Sequence, residues 1–228
     1  MINWIDIVEN FDYLMKGLNL TLKIATVSIV TSLFLGVILG VLRHSKIFPL
    51  NYLATAFIEL IRSIPLILFI MFVHFGFLPA LYGKTASVFQ SSYISLSIFS
   101  SVYIAEIIRG GLKSIEKSHI DAARSLGLNY FQRLFYIILP LAISRMTPAI
   151  VSQFISLIKD TSLASTIGLI ELTRAGEIVY ERTFHEFEIL IFIAIFYFLI
   201  CYGLSLISRK MESKAYILSI PSKLIQTN

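Results

Sequence analysis

The stretch KSHIDAARSLG, Lys117 to Gly127, sets charged and helix-capping residues side by side in a chain of 228 residues that is 57% hydrophobic and 14% charged. Ordinary soluble domains carry about 25% charged residues, so the stretch is a polar island in a membrane-class sequence. Ser118 followed three residues later by Asp121 has capping-box spacing, hydroxyl to the third amide and carboxylate reaching back. Gly127 supplies a left-handed residue that ends a helix without a Cβ penalty. The spacing predicts a helix over His119 to Leu126, about 12 Å long at 1.5 Å per residue. Asn129 and Gln132 form a second cap-like pair that opens the helix running into the next apolar run. Ala122 and Ala123 give the short helix a small-residue face, and Arg124 a positive handle. A helix this short is marginal alone in water. On the residues alone it is either a docking helix for another protein or a connector lying on the chain's own surface.

The flanks decide the class. Runs of about 18 or more apolar residues with few charges read as transmembrane helices, and five such runs are present: Ile24 to Leu42, Phe48 to Phe77, Ala86 to Ile108, Leu134 to Ile158 and Ile189 to Ser208. The second holds Glu59, Arg62 and Pro65; the fourth holds Arg145, Pro140 and Pro148. The expected fold is all-α and integral to the membrane, one domain of five spans with the polar helix between spans three and four. Asp6, Glu9 and Asp12 give the amino terminus the wrong sign for the basic region of a secretory signal. The single cysteine, Cys201, excludes an intramolecular disulfide.

Lysine and arginine near the span ends set orientation. Arg43, Lys46, Arg109, Lys113, Lys117, Arg124, Arg133, Arg209, Lys210, Lys214 and Lys223 share one side and outnumber Lys16, Lys84, Lys159, Arg174 and Arg182 on the other. The amino terminus is therefore expected outside, with the carboxyl terminus and Ser118 in the cytoplasm. The serines at 87, 91, 92, 95, 97, 100 and 101 crowd the third span, where small side chains let helix backbones approach. Glu59 and Arg62, three apart, are placed to neutralise each other on one helix face, whether for structure or function.

Several constellations fail. Gly83-Lys84-Thr85 resembles the end of a phosphate-binding loop, but Leu78 stands where the motif needs glycine, so no ATP site is expected in this chain. His44, His74, His119 and His185 lie far apart with no metal-ligand spacing, and no metal site or catalytic residue is expected. Glu186 and Glu188 read as a solvated interface at the outer end of the fifth span. No continuous basic, aromatic-interleaved surface supports nucleic-acid binding. An ion-gradient-driven secondary transporter or an auxiliary membrane protein are the rival classes. Many secondary transporters show duplicated halves, and none is visible here.

Asp121-Ala-Ala, Gly127 and Ile137-Ile-Leu-Pro140 together resemble the EAA signature of the membrane subunits of bacterial ABC importers. The blocks IELIRSIPLIL (58–68), SSVYIAEIIRGGLKSI (100–115), SLIKDTSLASTIGLIELTRAGE (156–177) and TLKIATVSIVTSLFLGVILG (21–40) resemble the polar amino acid branch of that family. Asp121 departs from the usual Glu, Leu141 stands where Gln is common, and Phe99 where many relatives have Asn. The resemblance implies a type I importer permease domain over 1–228, with a coupling segment at about 117–140. Ser118, Asp121, Ala122, Ala123, Arg124 and Gly127 would then engage a separate ATPase that holds ATP and magnesium. It further implies a second permease copy, an extracytoplasmic amino-acid-binding protein and residence in the bacterial inner membrane.

Polar groups in spans avoid lipid and face a bundle interior or wet cavity. Ser100, Ser101 and Tyr103 of the third span, with Gln153, Lys159, Asp160, Thr161 and Ser162 of the fourth, are the candidate substrate path. Tyr103, Gln153 and Ser101 offer acceptors for an ammonium and donors for a carboxylate without fixed charge. The resemblance places these two spans along the pathway. The alternative is that these groups only bond helix to helix. Neutral Gln153, where some relatives that carry basic amino acids have a carboxylate, points away from a strictly cationic substrate, although Glu59, Glu106 or Asp160 could compensate.

Overall fold

A computed structural model describes residues 4–45, 47–84 and 86–219, with side chains described to Met211. Lys46, Thr85 and Lys223, used in the reading above, lie outside the described residues. Among the described residues every element is helical: α1 (Ile5–Glu9), α2 (Phe11–His44), α3 (Phe48–Arg62), α4 (Leu66–Phe72), a π-helical turn (Val73–Phe77), α5 (Leu78–Tyr82), α6 (Val88–Lys113), α7 (Lys117–Ser125) and α8 (Tyr130–Arg133). A second π turn (Leu134–Ile138), α9 (Leu139–Asp160), a 3-10 segment (Thr161–Ile167), α10 (Leu172–Thr183) and α11 (Glu186–Ser219) complete the chain.

Among the described residues, four helices are long and apolar enough to cross a membrane: Phe11–His44, Val88–Lys113, Tyr130–Ile167 and Glu186–Met211. The expected second span is not one straight helix. It breaks between Arg62 and Leu66 and bends by 105°, making a fifth crossing only if the bent pair counts as one. Pro65 is the cause: it has no amide to continue the ladder, and it pushes the preceding residue out of the α region. Its own carbonyl then accepts from Phe69 N at 3.0 Å and starts the next helix. Both π turns stop two residues short of a proline, Pro79 and Pro140. A proline ring crowds the carbonyl four residues back, and a widened turn relieves that clash.

The centre of the bundle is the α2–α6 pair. The inward face of α2 is a line of small residues, Gly17, Thr21, Ala25, Ser28, Ser32, Gly36 and Gly40, all buried. Its Gly36 end packs on α6, where Ser91, Ser92, Ser95, Ser97, Ser100 and Ser101 are buried as expected, while Gly17 packs against Ala175 and Glu171. A Cβ on Gly36 would lie 2.6 Å from Ile104 and 3.0 Å from the Ser101 carbonyl oxygen. Most of the hydroxyls find partners inside the pair: Thr31 Oγ1 and Ser97 Oγ are 2.5 Å apart, and Ser92 and Ser95 donate to carbonyls one turn back, whereas Ser28 Oγ is buried without a partner. Small residues thus trade side-chain volume for backbone approach, the packing mode that works where lipid supplies no hydrophobic drive.

Candidate functional site

The residues expected to line a path fall into two groups. Ser100 and Gln153 come together, Gln153 Nε2 donating to Ser100 Oγ at 3.3 Å across α6 and α9. Tyr103 lies three residues on, so it shares the Ser100 face of α6 about 4.5 Å further along the axis. Its ring lies 5.3 Å from that of Phe99, and the Arg62 guanidinium carbon sits 5.5 Å from its centroid. Ser101 is turned inward instead, donating to the Ile98 carbonyl at 2.7 Å.

The second group stands at the far end of α9. Thr161 is buried and donates to the Ile158 carbonyl at 2.6 Å, while Ser162 donates to the Lys159 carbonyl at 2.8 Å. Lys159 is exposed and Asp160 half-buried beside them. The helix tightens here into its 3-10 segment, and these two hydroxyls cap the freed carbonyls.

Beyond Tyr103, three helices converge on Glu106. Arg109 of the same helix holds it through Nη2 at 3.0 Å and Nε at 3.1 Å. Arg43, at the end of α2, brings Nη1 to 2.6 Å from Glu106 Oε1, a close charge contact without hydrogen-bond alignment. Arg43 also bonds Glu59 at 2.8 Å. Arg62 stands 3.7 Å from Glu106 Oε2. The expected Glu59–Arg62 pair is therefore replaced. Arg43 reaches Glu59 from a second helix, and Arg62, at the last residue before the break, turns toward α6.

The short polar helix corrects the sequence reading at its start. It begins at Lys117, Glu116 is the capping position without a side-chain bond, and Ser118 donates to Glu116 Oε2 at 3.1 Å. Asp121 does not reach back; it pairs with Arg124 at 3.3 Å. Ser118 is inside the first turn and no longer free to cap. The end is as expected. Gly127 has φ +74, its amide bonds the Arg124 carbonyl at 2.9 Å, and Leu128 N bonds the Ala123 carbonyl at 3.2 Å. That pair of bonds is a Schellman motif. Asn129 and Gln132 form the full capping box at the next helix start. The two alanines divide: Ala123 is buried, whereas Ala122 is exposed together with Ser118, Asp121 and Arg124.

Sequence reading missed a second polar centre, Glu171, fully buried at the start of α10. Its carboxylate accepts from Thr173 N at 3.0 Å, Arg174 N at 2.9 Å and Tyr197 Oη at 3.0 Å. Thr21 of α2 bonds Leu172 N at 3.0 Å beside it. One carboxylate thus ties α2, α10 and α11. Burial pushes its pKa up, opposed by the amides it accepts from. Glu is not a favoured N-cap residue and Arg174 stands at the third position, so no capping signal in the sequence marked it. Nearby, the expected solvated pair divides: Glu186 is exposed and Glu188 buried, because Glu188 falls on the inward face beside Ile189. His185 Nδ1 lies 2.5 Å from Asp6 Oδ2 and holds α1 to the same end.

A bundle of long apolar helices with a small-residue seam and inward polar groups is the architecture of an integral membrane protein. The chain belongs to the family of binding-protein-dependent transport system inner membrane components, which it matches over residues 32–215. It is 44% identical to the probable glutamine ABC transporter permease protein GlnP of Bacillus subtilis, over 90% of this chain and 94% of that one. It is 36% identical to the glutamine transport system permease protein GlnP of Escherichia coli K12, covering 95% and 99%. The fold is similar to that in a crystal structure of an amino acid ABC transporter with histidines. That match has a TM-score of 0.86 and 30% identity, over 94% of this chain and 99% of the other.

Proposed function

We propose that the chain is the membrane-spanning permease subunit of an ATP-driven importer of amino acids, carrying a neutral polar amino acid of the glutamine type. Near-full-length similarity to glutamine permeases carries the class. The neutral Gln153–Ser100 pair beside Tyr103 supports the side-chain preference, because it offers an amide donor and hydroxyl acceptors and no carboxylate for a cationic side chain.

In this reading the amino terminus lies outside and α7 in the cytoplasm, as the lysine and arginine distribution favours. A second permease copy completes the pathway, since one bundle with a bent second span hardly encloses one. ATP and magnesium bind to partner ATPase subunits beneath, and a binding protein delivers the amino acid from outside. The exposed Ser118, Asp121, Ala122 and Arg124 are what α7 offers the ATPase, and the Gly127 turn fixes their angle to the fourth span. Nucleotide binding moves the bundle only if the ATPase contacts α7 differently in its two states.

The test is uptake by proteoliposomes containing the chain with its ATPase and binding protein. Glutamine uptake should require internal ATP and survive collapse of proton and sodium gradients. Uptake that follows a gradient with ATP absent would overturn the reading in favour of a secondary transporter.

A further inference from the structure

We propose that Arg62 is a substrate-binding residue on the α7-ward stretch of the path, receiving the α-carboxylate of the amino acid after it leaves Gln153 and Ser100; the inference rests on the amino acid import reading. The charges around Glu106 do not balance. Three guanidinium groups, Arg43, Arg62 and Arg109, face two carboxylates, Glu59 and Glu106. Arg43 and Arg109 take the short contacts, at 2.6 to 3.0 Å. Arg62 is left with the 3.7 Å contact, beyond hydrogen-bonding distance, and its side chain is 36% exposed. Arg43 also keeps Nη1 without a hydrogen bond, but that side chain is 13% exposed, so the excess positive charge open to a ligand is concentrated on Arg62.

Its position completes a polar series. Ser100, Tyr103 and Glu106 recur at every third residue of α6, which steps them about 4.5 Å along the axis and about 60° around it each time, a shallow spiral rather than a straight row. Gln153 bonds the first, and Arg62 lies against the second and near the third. Tyr103 holds the guanidinium over its ring and leaves the N–H fork free, because a ring face engages the cation without using its donors. A planar fork of donors matches a carboxylate in a way that an ammonium does not. The break at Ser63 to Pro65 has a purpose in this arrangement: it ends α3 at Arg62 and leaves the side chain at a helix terminus. The ligand is the zwitterionic backbone end of any amino acid, which fits a station that follows side-chain selection.

Proteoliposomes of the complete transporter, loaded inside with ATP, test this through product inhibition. Internal L-glutamine should slow initial uptake at about tenfold lower concentration than L-glutamine carboxamide, whose α-carboxylate is replaced by a neutral amide; a charge-assisted bond is of that order. Arg62→Gln should abolish the difference, while Arg62→Lys, which keeps charge but loses the fork, should keep a preference of about two- to threefold. Gln153→Ala should keep the full ratio, since it acts upstream. Equal inhibition by the two compounds in the unmodified transporter would overturn the proposal, and this arm needs no variant to fold. So would a full tenfold ratio in Arg62→Gln. Absence of any amino acid uptake by the unmodified transporter would instead remove the functional reading beneath it.

Discussion

The third and fifth spans make opposite use of the same bilayer. The third, α6, is the least apolar of the four uninterrupted spans, yet 61% of its crossing stretch is buried within the protein. The fifth, α11, is the most apolar, and only 11% of its stretch is buried. In water the order would be reversed. In lipid an apolar side chain gains little by leaving the hydrocarbon, whereas a serine, glutamate or glutamine gains a partner by turning inward. Polarity therefore marks the inside of this protein, and the same polarity that organises packing supplies the candidate path.

The strongest attack on that comparison is to thicken the α2–α6 seam. Gly36→Leu places a side chain where a Cβ alone already meets Ile104 at 2.6 Å, and overpacking of this kind costs about 3 kcal/mol. The solubilised transporter should melt several degrees lower, and adding Ile104→Ala should recover part of the loss. An equivalent change on the lipid side of α11, Phe198→Leu, should leave melting unaltered.

Glu171 sharpens the contrast at the opposite end of the bundle. Glu171→Gln replaces an acceptor of two backbone amides and should cost about 2 kcal/mol. The pH dependence has a definite sign. Burial raises the pKa of Glu171 in the folded state, so its protonated form contributes stability that is full below the ordinary carboxylate range and lost as pH rises through the raised value. The melting gap between the natural protein and Glu171→Gln should narrow from pH 4.5 to pH 8. A gap that widens over that range would mean that the amides outweigh desolvation.

Gln153 tests whether inward polarity serves transport as well as packing. Gln153→Glu should shift relative uptake toward basic amino acids by about tenfold, the effect of roughly one charge-assisted bond. Gln153→Ala should lose glutamine uptake more than uptake of smaller amino acids. Equal loss for every amino acid would leave the residue a helix-to-helix contact only.

The smallest structural effect is expected outside the bundle. Gly127→Val meets no neighbouring atom, since open space surrounds its Cβ position, and costs only the left-handed strain of about 1 kcal/mol or slightly more. Melting should scarcely move, while ATPase stimulation by substrate and binding protein should fall sharply. Unchanged stimulation would count against α7 as the coupling element.

The spans were legible because length and apolarity are local properties. The serine face of α6 was legible for the same reason, through its spacing. The small-residue line on α2 carried an equally readable signal in Ser28, Ser32, Gly36 and Gly40, four residues apart, which apolar counting passes over. The start of α7 misled because Ser118 is a favoured cap residue, whereas the capping position falls on Glu116, which makes no side-chain cap bond. Glu59 and Arg62 misled because sequence sees only neighbours on one helix, and Arg43 arrives from another.

By itself the sequence determined the class, the number of apolar runs, the capped helix between the third and fourth, and the glycine that ends it. Each follows from hydrophobic length or from backbone chemistry within a few residues. Only the tertiary structure decided that the second run bends at Pro65, that Gln153 meets Ser100, that Glu171 joins three helices, and that Arg62 stands beyond hydrogen-bonding distance of Glu106. Those outcomes depend on which side chain from a distant helix reaches a charge or an amide first, and no local pattern encodes that competition.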